Sequence, residues 1–176
     1  MEQEEILRVE DLRTFFYTQE GVVKAVDGAT FAVKRGKVLG LVGESGCGKS
    51  VTALSVLRIV PPPGRIVGGH IYYHQCIGSN GQGGVIETLD LTQLPPRSRK
   101  MRSIRGGEIS MVFQEPMTSL DPVYTVGEQI MEAITLHQQV DRRQARERAI
   151  EMLRSVGMPD PVQTVDSYPH QLSGGM

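Results

Sequence analysis

The sequence predicts an α/β fold in which an apolar strand leads through a glycine-rich loop into a helix. Three observations support this prediction. The apolar run from Val38 to Val42 is followed at once by the glycine-rich stretch Gly43–Ser50. Strand-like alternation of apolar and polar residues precedes the run, and two amphipathic helical patterns lie in the last third of the chain. A mainly β segment therefore precedes a mainly helical one.

Composition sets broad limits but does not indicate a partner. The chain has 176 residues, 39% of them hydrophobic, and a net charge of −1, which is typical of one globular domain. No apolar run approaches the roughly 18 residues that span a bilayer, and the acidic start at Met1–Glu5 is unlike a signal peptide. We expect a soluble, cytosolic protein. Cys47 and Cys76 are the two cysteines, and we expect both to be free thiols.

An antiparallel β-layer is predicted before the central strand. Leu7–Val9 and Ala29–Val33 alternate apolar with polar residues, which is the period of half-buried strands. The residues Lys34–Lys37 form a turn signal before Val38. The aromatic cluster Phe15–Tyr17 lies between the two strands, and its rings either pack in the core or stack on a nucleotide base.

The stretch Gly43–Ser50 has the G-x-x-x-x-G-K-[ST] spacing of a phosphate-binding loop. Such a loop directs several backbone N–H groups, and the positive end of a helix dipole, into one concave space. The lysine can reach the β- and γ-phosphate oxygens, and the serine hydroxyl can ligate Mg²⁺. An ordinary glycine-rich loop is the alternative, which the strand before and the helix after disfavour. The predicted nucleotide contacts are Gly43, Glu44, Ser45, Gly46, Cys47, Gly48, Lys49, Ser50 and Val51.

A helix and a hairpin are predicted next. Leu54 and Leu57 mark the packed side of the helix, which we expect Pro61–Gly64 to end. The hairpin runs through Gly69–Tyr73, a glycine-rich tip at Gly78–Gly84 and Val85–Ile86. A metal site formed by His70, His74 and Cys76 is a disfavoured alternative, since no fourth ligand or closed spacing accompanies them.

A local basic run follows the hairpin. It consists of Arg97, Arg99, Lys100, Arg102 and Arg105. A nucleic-acid patch is possible here, but no aromatic residues are interleaved and the whole chain is slightly acidic. A solvated helix face is therefore the favoured interpretation.

A second apolar run, Ile109–Phe113, is a candidate inner strand that delivers Gln114 at its carboxyl end. Ligands of open α/β sheets bind at the carboxyl ends of strands. The prolines of Glu115–Pro122 predict a loop after this strand.

Two helices are predicted after this loop. Thr125 and Glu128 have the spacing of a capping box, with Val126, Ile130 and Ile134 at helical spacing behind it. The next helix starts at Asp141 and ends at Gly157. Its predicted packed face consists of Ala145, Ala149, Leu153 and Val156.

Taken together, these motifs resemble the ATP-binding cassette (ABC) ATPases. The phosphate loop, a strand ending in Gln114, a helical segment and the signature stretch Leu172–Gly175 occur in the family's order. The motifs at 21–28, 40–50, 111–122 and 168–176 resemble those of dipeptide and oligopeptide (peptide/nickel type) importers. The resemblance implies a P-loop NTPase core with an antiparallel β-subdomain in residues 1–114, and an α-helical subdomain in residues 115–176.

The resemblance also implies roles for individual residues. Phe16 occupies the position whose ring stacks on adenine, and Lys49 and Ser50 contact phosphate and Mg²⁺. Gln114 occupies the position that contacts Mg²⁺ and the attacking water, so that Gln114 and Lys49 are the expected catalytic residues. The signature residues Ser173, Gly174 and Gly175 are expected to serve a nucleotide held by a second, head-to-tail subunit.

The implied function is import of peptides coupled to ATP binding and hydrolysis. The implied partners are membrane permease subunits at Gln114–Pro122 and the following helices, a second ATP-binding subunit and, indirectly, a solute-binding protein, but no nucleic acid. The expected location is the cytoplasmic face of the cell membrane. A soluble ABC ATPase acting on nucleic acid or ribosomes, or a small-molecule kinase, are the alternatives.

One part of the family pattern is missing. In this family the signature is followed by a hydrophobic strand ending in Asp-Glu and later by a switch histidine. Neither occurs in the 176 residues, because His137 and His170 both precede the signature. The chain is therefore expected to be the first part of a subunit, truncated at the signature, and not to hydrolyse ATP alone.

Overall fold

The computed structural model describes residues 5–77, 85–113, 119–173 and 175–176. The chain divides into two compact units, Met1–Arg105 and Gly106–Met176. The elements of the first unit are β1 (Glu5–Thr18), β2 (Gly21–Lys34), α1 (Lys49–Val56), β3 (Gly64–Ile77), β4 (Val85–Asp90) and α2 (Arg99–Ile104). Those of the second are α3 (Val126–His137), α4 (Arg142–Ser155), α5 (Pro161–Thr164) and a short 3-10 helix, Pro169–Gln171. No helix in these described ranges is long and apolar enough to cross a membrane.

The first unit is built on a four-stranded antiparallel sheet with the order β2-β1-β3-β4. This sheet confirms the predicted antiparallel β-layer, but its strands are longer than the alternation indicated. The aromatic cluster Phe15–Tyr17 lies inside β1 and pairs with Val22–Lys24 of β2. Val9, Leu12 and Ile71 are fully buried in the sheet's core.

Helix α1 packs on this sheet through a polar contact as well as apolar ones. The hydroxyls of Thr14 on β1 and Ser55 on α1 are hydrogen-bonded at 2.9 Å, and both residues are fully buried. Val56 and Leu57 are also buried, whereas Leu54 is only half-buried. Because the buried hydroxyls satisfy each other, this pairing avoids the cost of an unpaired polar group in the core.

The prediction that prolines end α1 is wrong, since the helix ends earlier. Its last residue is Val56, and Arg58 adopts a left-handed conformation with φ of 57°. The N–H of Arg58 donates to Ser55 O at 3.0 Å, and that of Ile59 donates to Leu54 O at 3.0 Å. This is the Schellman pattern, in which glycine is the usual left-handed residue. Arginine there costs about 1–2 kcal/mol of backbone strain.

The two apolar runs predicted as inner strands, Val38–Val42 and Ile109–Phe113, are not strands in the described structure. The side chains of Val38 and Val42 are both 99% exposed, and that of Val112 is 92% exposed. A strand exists only when a neighbouring strand completes its hydrogen-bond ladder. None of the four described strands pairs with either run, so their apolar side chains face solvent.

The second unit is a small helical unit with its own core. The core consists of Val126, Ile134, Ala145, Ala149, Leu153 and Val165. The predicted capping box is confirmed: Thr125 Oγ1 accepts from the N–H of Glu128, and Glu128 Oε2 accepts from the N–H of Thr125. These hydrogen bonds hold the pKa of Glu128 below its usual value. A second capping box, Asp141 with Gln144, starts α4.

The packed face of α4 is one residue shorter than predicted. Ala145, Ala149 and Leu153 are buried as expected, but Val156 is exposed. The helix ends at Ser155, and Gly157 follows with φ of 75°. Val156 thus lies where the chain already turns away from the helix axis.

The basic run lies on α2 and just beyond its two ends, and the helix packs through Met101 and Ile104. Arg97, Arg99 and Arg102 are exposed, which supports the solvated-face interpretation. The metal alternative finds no support, because no three His, Cys, Asp or Glu side chains are grouped in the part of the chain that is described. His70 instead contacts Asp90 at 2.7 Å, and His74 contacts Thr88 at 2.9 Å.

Candidate nucleotide-binding site

The glycine-rich loop curls immediately before α1 as the sequence predicted. Gly46 and Gly48 have φ of 84° and 91°, the left-handed region that glycine adopts without strain. Gly48 is the N-cap of α1, and a Cβ there would lie 2.1 Å from the carbonyl oxygen of Ala25 on β2. Gly48 is therefore required both by its backbone conformation and by the close approach of β2.

The side chain of Lys49 folds back over this loop. Its Nζ donates to Gly43 O and Glu44 O, both at 2.7 Å, and lies 3.3 Å from Cys47 Sγ. Among the described residues its hydrogen-bond partners are atoms of the loop, and none is a carboxylate. Within the described ranges the loop therefore holds a positive charge that makes no ion pair.

The first turn of α1 adds donors beside this charge. A helix leaves its first four N–H groups without intrahelical partners, and its N-terminus carries a partial positive charge. Thr52 fixes the helix start, since its N–H and its hydroxyl donate to Gly48 O at 2.8 and 3.0 Å. Ser50 is exposed in the first turn, and Val51 is half-buried.

The remaining loop residues leave this cationic surface open. Gly43, Glu44, Ser45, Gly46 and Cys47 are all exposed. An ideal Cβ on Gly46 would meet no atom within 4 Å, so the glycine-rich turn presents backbone to solvent. A lysine ammonium, a helix N-terminus and an accessible backbone together fit the phosphate chain of a nucleotide. The Ser50 hydroxyl provides an oxygen ligand of the kind that Mg²⁺ binds.

Phe16 lies on strand β1. It is half-buried, and two of its ring atoms lie within 2.8 Å of where a Cβ on Gly64 would stand. The same point is 2.6 Å from Val60 Cγ1, so the ring packs beside the residues that follow α1. The ring therefore has a packing role. Stacking on adenine stays a prediction.

The signature residues occupy the end of the second unit. The N–H of Met176 donates to Ser173 O at 2.9 Å, which forms a turn, and Leu172 packs against the helical core. Ser173 and Gly175 are exposed. Gln114 and Gly174 lie outside the described residues, so their predicted roles stay predictions.

Sequence reasoning missed the residues that hold α1 and the end of the loop against the sheet. Thr14, Thr52 and Ser55 fix α1, and the carbonyl of Ala25 meets Gly48. One signal was available: Thr52 and Ser55 lie three residues apart in a helix, so two polar side chains share a face that also has to pack on a sheet. The partner on β1 follows only from the fold.

Comparison with known proteins shows which family the chain resembles. The family model described as "ABC transporter" matches residues 26–176. A probable peptide ABC transporter ATP-binding protein of Sinorhizobium fredii is 49% identical over 172 residues, covering 97% of this chain and 47% of that protein. The dipeptide transport ATP-binding protein DppD of Escherichia coli is 44% identical over 171 residues, covering 97% of this chain and 48% of that protein. The chain thus spans about half the length of these curated relatives.

Solved structures agree at the level of the fold. A dimeric bacterial ABC transporter cassette superposes with a TM-score of 0.73 at 20% identity, covering 96% of this chain and 64% of that one. The same cassette bound to ADP and phosphate after hydrolysis matches equally well, with a TM-score of 0.73. The extent of the family match and the identity to the curated relatives, together with the phosphate loop, establish that this chain belongs to the ABC transporter family, as an ATP-binding cassette.

Proposed function

We propose that this chain is the ATP-binding part of an ABC importer that couples ATP binding and hydrolysis to uptake of peptides. The observation that carries the proposal is the Lys49 ammonium, held over a glycine-rich loop at the start of α1 with no carboxylate partner among the described residues. The names of the relatives, peptide and dipeptide transport ATP-binding proteins, support peptides as the solute class. Residues 1–114 form the nucleotide-binding part in this proposal, and residues 115–176 form the helical part.

The site residues have distinct roles in the proposal. Lys49 and the loop amides hold the phosphates of ATP, while Ser50 and Gln114 hold Mg²⁺. Gln114 also orients the attacking water, and Phe16 stacks on adenine. Binding and hydrolysis of ATP would supply the free energy for transport. The chain's own part is to bind, orient and shield that phosphate.

The proposed contact with the membrane permeases lies at the start of the second unit. The amide of Gln129 clamps the preceding loop, because Nε2 donates to Asp121 O at 2.9 Å and Oε1 accepts from the Asp121 N–H at 2.9 Å. A cavity of about 740 Å³ opens beside this clamp, lined by Ser119–Asp121, Tyr124, Glu128, Gln129 and Glu132. Val123 and Tyr124 are exposed at the same place, as expected of a docking surface. A solute-binding protein acts indirectly, and the complex lies at the cytoplasmic face of the membrane.

Peptide uptake by reconstituted vesicles tests this function. The full-length subunit is purified with the membrane proteins that accompany it and is reconstituted with ATP inside the vesicles. Uptake of a labelled dipeptide is expected to require ATP, to be reduced by unlabelled peptides and to be lost in Lys49→Ala. Co-purification with ribosomes or nucleic acid, with no peptide uptake, would instead favour the soluble alternative.

We further propose that Ser173, Gly174 and Gly175 serve the nucleotide bound by a second subunit. The sequence contains two segments that are predicted to bind phosphate, Gly43–Ser50 and Ser173–Gly175. They lie in different compact units of the chain. Ser173 is exposed at a turn, so its hydroxyl is free to meet another chain. A head-to-tail pair would place each signature opposite the partner's phosphate loop. The dimeric cassette among the solved structures supports such pairing.

A mixed dimer separates action in trans from action in cis. Ser173→Arg is introduced into one subunit, and the phosphate loop of one subunit at a time is inactivated by Lys49→Ala. We expect the arginine to abolish ATP turnover at the site built on the other subunit's Lys49, because a bulky cation replaces a small hydroxyl. Loss at the site on its own Lys49, with the partner's site intact, would refute the assignment. Ser155→Arg, on the exposed end of α4, is the matched control.

A further inference from the structure

A second cationic cavity lies in the first unit, at the C-terminal end of α1. Its volume is about 230 Å³, and it is lined by Arg58, Val60, Gly64, Arg65, Ile66 and Pro96. Two arginines thus line a space whose other lining residues are aliphatic residues, a glycine and a proline. No carboxylate is among the lining residues. None of the residues assigned to the phosphate loop takes part.

Arg58 has a left-handed backbone conformation, which is unusual for a residue with a side chain. It is the left-handed residue of the turn that ends α1, where glycine would be free of strain. Residues held in such conformations cluster at functional sites, where a specific side chain is needed in spite of the strain. The chain therefore keeps a guanidinium at a position where the backbone alone favours glycine.

The charge of Arg58 is poorly compensated by the protein. Its Nε is inaccessible to solvent and has no hydrogen-bond partner among the described residues. Its Nη2 donates to Leu94 O at 3.4 Å, which is a long hydrogen bond. No carboxylate in the described ranges lies within ion-pair distance of Arg58 or Arg65. Burial accordingly lowers the pKa of Arg58, and the neighbouring Arg105 adds to that effect.

The nearest opposing charge is already engaged elsewhere. Asp90 raises the pKa of Arg58, but its carboxylate accepts hydrogen bonds from the N–H and hydroxyl of Thr92 at 2.9 and 2.7 Å. Its other oxygen contacts His70 at 2.7 Å. No carboxylate among the lining residues balances the two arginines. Arg65 is exposed, and its guanidinium lies 5.2 Å from the centre of the Tyr17 ring.

We propose that this cavity binds a small oxyanion of the phosphate class between Arg58 and Arg65. Guanidinium groups present several N–H donors in a fixed plane, which matches the oxygens of phosphate. The aliphatic side chains of Val60 and Ile66 line the same space, and a less polar wall strengthens the attraction between charges. The site is separate from the phosphate loop, because the two share no residue. Binding there would make the stability of the segment between α1 and β3 depend on the concentration of a free phosphate compound.

Phosphate titration of the full chain in a Lys49→Ala background tests the proposal, because that variant disables the phosphate loop. The probe is inorganic phosphate, and sodium chloride of equal ionic strength is the reference. The readout is the side-chain Nε–H resonances of the arginines in ¹⁵N spectra. We expect saturable shifts of the Arg58 and Arg65 signals with phosphate and none with chloride.

Two variants and a control make the outcome decisive. Arg58→Gly removes the guanidinium and relieves the backbone strain, so it is expected to fold. This variant and Arg65→Gln are each expected to raise the Kd for phosphate at least roughly tenfold, since each removes charge-assisted hydrogen bonds. Arg97→Gln, an exposed arginine outside the cavity, is expected to leave the Kd unchanged. Equal phosphate affinity in Arg58→Gly, or shifts that chloride reproduces, would overturn the proposal.

Discussion

Replacing Lys49 with alanine is expected to weaken ATP binding by roughly 10- to 100-fold. The ammonium is the only described side-chain charge that the loop itself holds in place, through Gly43 O and Glu44 O. Hydrogen bonds to charged groups contribute about 1.5–3 kcal/mol each, and a phosphate chain would lose at least one of them. Titration calorimetry with the full-length subunit measures the change.

The matched control is Lys37→Ala. Lys37 is exposed at the turn after β2, and its N–H donates to Lys34 O, so it is a lysine of the same unit that does not belong to the loop. We expect this variant to bind ATP as the parent does. If Lys49→Ala and the parent had equal affinity, the phosphate-loop assignment would be wrong.

Replacing Gly48 with alanine is expected to destabilise the first unit by about 3 kcal/mol or more. The added Cβ would lie 2.1 Å from Ala25 O, and backbone φ there is 91°, which strains any residue with a side chain. Neither β2 nor the start of α1 can move without breaking its own hydrogen bonds. In a chain of 176 residues such a loss lowers Tm by roughly 6–12 °C, which calorimetry detects.

Gly46→Ala separates strain from collision. Gly46 has a similar φ of 84°, but an added Cβ would meet no atom within 4 Å. Only the left-handed backbone is then penalised, at about 1 kcal/mol. Equal losses of stability in the two variants would show that β2 does not approach the loop as closely as the structure indicates.

Features set by neighbouring residues in the sequence were predictable. The glycine turn before α1, the Thr125–Glu128 capping box and the buried face Ala145–Leu153 all depend on contacts within a few residues, and the structure contains all three. Phosphate binding by Gly43–Ser50 stays a prediction. Hydrophobic periodicity and capping residues carry that information directly. The antiparallel layer also followed from the alternation in β1 and β2.

Features that depend on distant partners were not predictable in this way. Val38–Val42 has the composition of a buried strand, yet a strand forms only beside another, and no described strand pairs with it. Pro61 indicated the end of α1, but the left-handed turn at Arg58 comes first, because its hydrogen bonds to the last turn outweigh its strain. The Thr14–Ser55 contact joins residues 41 apart, and no local pattern reveals it.

The central claim is that the loop from Gly43 to Ser50 and the start of α1 bind ATP. Hydrogen exchange of backbone amides in the full-length subunit, with and without MgATP, tests it most directly. The account predicts that ATP slows exchange of the amides of residues 43–51, and that Lys49→Ala abolishes this protection at the same ATP concentration. Unchanged exchange in 43–51 while ATP protects another segment would contradict it.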